Sequence, residues 1–147
     1  MLRLHVPFAG LAMGVLLMAG CASEMERSTS LRADLSGAQE VPPAATSARG
    51  SGAMTYNAAT KQLNWNISYT GLSGPATAAH FHGPAATGAN AGVAVPIGGA
   101  GMSSPASGSA TLTDVQAADL LAGRWYVNIH TAANPGGEIR GQVMKAQ

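Results

Sequence analysis

From Gln62 to Thr70 the chain reads QLNWNISYT, an alternation in which Leu63, Trp65, Ile67 and Tyr69 share one side and Asn64, Asn66 and Ser68 the other. A period of two belongs to a half-buried β-strand, because a helix would scatter those four apolar side chains around its axis. Gly50–Asn57 reads as the partner strand, with Asn57-Ala58-Ala59-Thr60-Lys61 as the hairpin turn. The same periodicity predicts strands at Leu31–Gln39, Ala76–His82, Val93–Ile97, Ser107–Leu112, Arg124–Thr131 and Glu138–Met144. Gly- and Pro-rich segments separate them, for example Gly71–Pro75, Gly83–Gly92 and Asn134–Gly137. One stretch departs from this pattern. Thr113-Asp114-Val115-Gln116 matches a capping box ahead of Ala117–Ala122, and Gly123 stands where a helix ends in a left-handed residue. The fold class that follows is all-β: a Greek-key antiparallel sandwich or flattened barrel with one short helix.

Large side chains are scarce, since aromatics make up 5% of the chain, while 29 Ala and 19 Gly supply much of the rest. Trp65, Trp125, Tyr69 and the Val, Ile and Leu positions are therefore expected to form most of the core, with Ala letting the layers approach closely. Eight Lys+Arg against seven Asp+Glu leave a formal charge of +1 and no basic stripe, which argues against a nucleic-acid partner. A single cysteine excludes an internal disulfide.

That cysteine has a different reading. Arg3, an apolar stretch from Val6 to Met18 and Ala19-Gly20 follow the order of a secretory signal peptide, 1–20. The apolar part is shorter than the ~20 residues needed to span a bilayer. Leu17-Met18-Ala19-Gly20-Cys21 resembles a bacterial lipobox, which implies acylation of Cys21 and a membrane partner reached through the lipid. The residue after Cys21 is Ala22, not Asp, so the expected address is the outer membrane of the cell envelope. Residues 21–30 read as the lipidated cysteine and a polar tether, and 31–145 as the domain. Removal of the leader takes away Arg3 and leaves basic and acidic side chains equal in number.

Three histidines lie in the predicted strands. His80 and His82, in Ala79-His80-Phe81-His82, point to one face with Phe81 on the other. On the later strand Tyr126, Asn128 and His130 share a face opposite Trp125, Val127 and Ile129. Imidazoles two residues apart on a strand are spaced to share a metal ion, and His130 could stand as a third ligand. Glu138, after the Asn134-Pro135-Gly136-Gly137 turn, is placed to lie across the hairpin from His130 and is the fourth candidate. Such a ligand set suits copper or zinc. The other reading of the same residues is a polar seam in which the imidazoles only hydrogen-bond. Glu138 and Arg140 read as a surface pair, and Asp114 and Asp119 as a helix N-terminal charge and a solvated face. No Gly-x-Ser-x-Gly elbow is present, and Gly98-Gly99-Ala100-Gly101 lacks the Lys of a phosphate loop. No catalytic residue is assigned.

Four segments together resemble one family. Leu35-Ser36-Gly37-Ala38-Gln39-Glu40-Val41-Pro42-Pro43, Ala79-His80-Phe81-His82-Gly83-Pro84-Ala85, Tyr126-Val127-Asn128-Ile129-His130-Thr131 and Asn134-Pro135-Gly136-Gly137-Glu138-Ile139-Arg140-Gly141-Gln142 look like the CHRD domain, the module first described in chordin. The resemblance runs from about Leu31 to Met144. It implies an exported binding module, and an envelope or extracellular protein as a partner. A looser likeness is to copper–zinc superoxide dismutase, in which a His-x-His strand and a later histidine hold copper. That likeness implies copper-site roles for His80, His82 and His130, while the fourth copper histidine, the zinc ligands and the structural disulfide have no counterparts. The expected function is a lipid-anchored, non-catalytic binding module with a three-histidine copper or zinc site. The alternatives are a metal-dependent redox enzyme resembling superoxide dismutase, or a purely structural envelope protein.

Overall fold

A computed structural model describes residues 27–147. The signal peptide, Cys21 and most of the tether lie outside the described residues. Nine strands follow in order: β1 (Ser28–Ser36), β2 (Arg49–Asn57), β3 (Gln62–Thr70), β4 (Ala76–His82), β5 (Val93–Gly98), β6 (Ala106–Thr111), β7 (Tyr126–Thr131), β8 (Ile139–Gln142) and β9 (Met144–Lys145). Helix α1 (Asp114–Leu121) lies between β6 and β7. The strand order is β5-β4-β7-β8-β1-β2-β3-β6, with β9 also pairing β1. Every pairing is antiparallel. The two end strands, β5 and β6, come close without ladder bonds, so the sheet curls into a nearly closed barrel. Across that seam β4, β5 and β6 run in sequence and β7 returns beside β4, the connection of a Greek key.

The β2–β3 hairpin follows its alternation residue by residue, pairing Asn57 with Gln62 and Arg49 with Thr70. Asn57 closes the turn by accepting from the Ala59 and Thr60 amides at 2.9 and 3.1 Å. The helix begins at its capping box: Gln116 N–H donates to Thr113 Oγ1 at 3.2 Å and Thr113 N–H to Gln116 Oε1 at 2.9 Å. Such a cap contributes about 1 kcal/mol. Gly123 ends the helix at φ 71°. Leu120 and Ala117 turn inward, so the helix closes part of the barrel with its apolar side.

Trp65, Phe81 and Trp125 are all buried and meet inside the barrel, with ring centroids 5.3 Å apart for Trp65–Phe81 and 5.9 Å for Phe81–Trp125. Buried Ala33, Ala48, Ala76 and Ala79 fill the space between larger side chains, as composition required. Tyr69 sits at the edge of the core and donates its hydroxyl to the Met102 carbonyl at 2.8 Å.

Three expectations fail at specific points. Ser28–Ser30, read as tether, already pair with Asn57, Tyr56 and Thr55, so β1 begins earlier than the apolar pattern shows. Asp119 is buried, not solvated, because Arg124 folds back to pair with it. Glu138 and Arg140 are also buried and do not form a surface pair. Loops cover their side of the sheet.

Candidate metal centre

The outward face of β4, β7 and β8 is set by register. His80 pairs with Asn128, Ala78 with His130 and His82 with Tyr126, while Asn128 and Tyr126 pair onward with Arg140 and Gln142. Alternate residues Ala79, Phe81, Val127 and Ile129 face the core, leaving the histidines together on the other side. That side is roofed by residues 37–46 and by the loop 83–92, which is why Tyr126 and Asn128 are buried although they point away from the core.

One nitrogen from each of His80, His82 and His130 lies within 4.8 Å of the others. Ring centroids are separated by 5.5 Å for His80–His82, 5.2 Å for His80–His130 and 6.0 Å for His82–His130. His80 Nδ1 stands 3.3 Å from His130 Nε2. Two nitrogens bound to one tetrahedral ion at about 2.0–2.1 Å stand about 3.3 Å apart, so this pair already has ligand spacing.

Hydrogen bonds assign the remaining ring nitrogens. His130 Nδ1 donates to the Pro135 carbonyl at 3.0 Å, and His82 Nδ1 donates to the Ala91 carbonyl at 3.0 Å. Both rings therefore present Nε2 with its lone pair. Without an ion His80 Nδ1–H donates to His130 Nε2; an ion bound by this pair would take both lone pairs, the proton moving to His80 Nε2. His82 Nε2 is different: it is buried and has no partner. An unsatisfied buried group costs about 1–3 kcal/mol, and an ion would supply this nitrogen with the partner it lacks. Burial lowers both His80 and His82 from the usual imidazole range, and the neighbouring imidazoles add to it. His82 and His130, whose Nδ1–H groups are held by backbone carbonyls, are oriented as metal-binding histidines are.

Glu138 does not join the three-histidine group. Residues Ile129 and Ile139 pair, but the Glu138 amide also donates to the Ile129 carbonyl, and this irregularity turns the carboxylate away from the histidines. Its oxygens accept from Ser73 Oγ at 2.5 Å, Ser73 N–H at 2.8 Å, Thr131 Oγ1 at 2.6 Å and Thr46 Oγ1 at 2.9 Å. Burial alone would raise its pKa, but the bonds from Ser73, Thr131 and Thr46 outweigh it and bring the carboxyl to about 2. Glu138 is a structural anion tying two loops, through Thr46 and Ser73, to the hairpin.

A second carboxyl was not singled out by sequence. Glu40 is buried, accepts from Asn128 Nδ2 at 3.2 Å, and is pushed by burial to about 7 against the opposing pull of Arg140. Its Oε1 and Asn128 Oδ1 are both unpartnered. Both lie within 3 Å of the point where a Cβ on Gly137 would stand, which explains why Gly, at φ 135°, occupies that turn. With its pKa raised to about 7, Glu40 holds a proton below neutrality, a donor that these two oxygens otherwise lack. Parity in YVNIHT and IRGQ could have flagged Asn128 and Arg140 as neighbours of His130, but nothing local shows that Glu40 folds over them.

Two depressions of about 350 and 500 Å³ lie on the outer face of β1, β2 and β3, away from the histidines. Their titratable lining is Arg49 and Tyr69 in the one and Arg32 in the other.

Fold and cluster together define a class: a Greek-key β-barrel domain with three imidazoles converging beneath a loop. Residues 31–143 match the family model of the CHRD domain, and the chain belongs to that family. No curated protein and no solved structure matches it.

Proposed function

We propose that this CHRD domain is a non-catalytic binding module, displayed at the cell envelope by a lipid on Cys21, and that it holds copper or zinc through His80, His82 and His130. The observation that carries the metal reading is the buried, unpartnered His82 Nε2 beside two other imidazole nitrogens at ligand spacing. Three nitrogen donors leave a coordination position free, as suits a module that takes up and releases an ion. The residues described around the histidines include no acid–base pair poised on that open position: Glu138 is fully bonded and Glu40 faces Asn128. Apo protein titrated with copper and with zinc binds near one equivalent, and the triple His→Ala protein binds none. Undiminished binding in the triple variant would overturn the site. Radiolabelled fatty acid incorporated by the wild-type chain and absent from Cys21→Ser tests the anchor.

A further inference from the structure

The third imidazole of the cluster is held by contacts that begin two strands away. Arg140, on β8, is buried and has no carboxylate partner in an ion pair among the described residues. Its guanidinium lies 3.4 Å from the centroid of the Tyr126 ring. Tyr126 in turn stacks on His82 with centroids 4.9 Å apart and planes 4° from parallel. Because β7 runs between β4 and β8, the tyrosine ring stands between the cation and the imidazole. The same guanidinium grips the covering loop, donating from Nη2 to the Ala89 carbonyl at 2.5 Å and from Nη1 to Asn90 Oδ1 at 2.9 Å. The next residue, Ala91, donates its amide to Tyr126 Oη at 3.1 Å, and its carbonyl takes the proton of His82 Nδ1.

We infer that Arg140 and Tyr126 are positioning residues that fix the tautomer and ring plane of His82, so that Nε2 offers its lone pair to the ion. Either nitrogen of a neutral imidazole can carry the proton, and the partner of the other nitrogen decides which. Here that partner is a loop carbonyl, and the loop is placed by a two-pronged planar cation that also supports the stacked ring. Lysine would keep the charge but not the fork or the flat contact with tyrosine. The inference rests on the metal-binding reading of the cluster.

The test uses ¹⁵N imidazole spectra and zinc affinity by chelator competition on the wild-type chain, Arg140→Lys and Asn90→Ala, each checked for a cooperative melt. In the wild type His82 is protonated on Nδ1. Arg140→Lys shifts His82 toward a mixture of tautomers and weakens zinc about 10–100-fold, the usual effect of losing an outer-shell partner. Asn90→Ala removes one prong from an exposed loop and moves both readouts the same way by less. If Arg140→Lys folds with the wild-type tautomer and affinity, the inference is wrong. If that variant does not fold, Asn90→Ala decides, and unchanged readouts there overturn it. Wild-type protein that binds no zinc or copper defeats the metal reading instead, while the tautomer shift still reports on the clamp.

Discussion

The two halves of the barrel wall follow the same alternation and present opposite outer faces. On β1, β2, β3 and β6 the outward residues are short and polar, such as Ser30, Thr55, Asn64 and Ser109, and they face water. On β4, β7 and β8 the outward residues are His80, Asn128, Tyr126 and Arg140, and loops cover them. Alternation assigns each side chain to a face but does not say what lies over that face. The bare half meets water directly; the covered half must satisfy each polar group internally, and His82 Nε2, Glu40 Oε1 and Asn128 Oδ1 are the atoms there without a protein partner.

The largest expected effect of breaking this contrast is at Glu138. Glu138→Gln removes the charge that Ser73, Thr131 and Thr46 serve, and is expected to cost about 2–3 kcal/mol in denaturant unfolding. A loss below 0.5 kcal/mol would show that the loops dock without it. The acid limb sharpens the point. A carboxyl near 2 in the folded chain against an ordinary 4.5 adds stability that is complete above pH 4.5 and is lost as pH falls through 2. Melting temperature should therefore drop across that window in the wild type and change less in Glu138→Gln.

Glu40 should behave in the opposite sense. Its folded-state pKa, raised to about 7, means the native state holds a proton that the unfolded chain has released, so stability declines from pH 4.5 to 7. Glu40→Gln, which supplies an N–H where the acid carries its proton, should raise the melting temperature at pH 8 and leave it nearly unchanged at pH 4. An equal effect at both pH values would contradict a carboxyl that keeps its proton to about 7. The smallest effect is expected on the bare half. Asn66→Ala gives up one exposed bond to Ser107 Oγ and should change stability by no more than about 0.5 kcal/mol.

Much of the wall was legible from the sequence, because strand pairing leaves its mark every second residue. The β2–β3 hairpin, the bounds of β4 and the capped helix follow from local chemistry alone. The convergence of His80, His82 and His130 was also legible, since parity put all three on polar faces. Glu138 was misplaced because the pairing irregularity at Ile129 reverses the direction that simple register assigns. Arg140 looked exposed because its cover comes from Ala89 and Asn90, fifty residues away in the chain. Coverage by loops is a long-range property, and no local pattern reports it.

Thermal melting of the wild-type chain and the triple His→Ala variant, each with and without excess zinc or copper, tests the central claim most directly. An ion that binds only the folded cluster stabilises the wild type by about 2.7 kcal/mol at a hundred times its Kd. The account predicts a raised midpoint in the wild type and none in the variant. No rise in the wild type, or an equal rise in both, would contradict it.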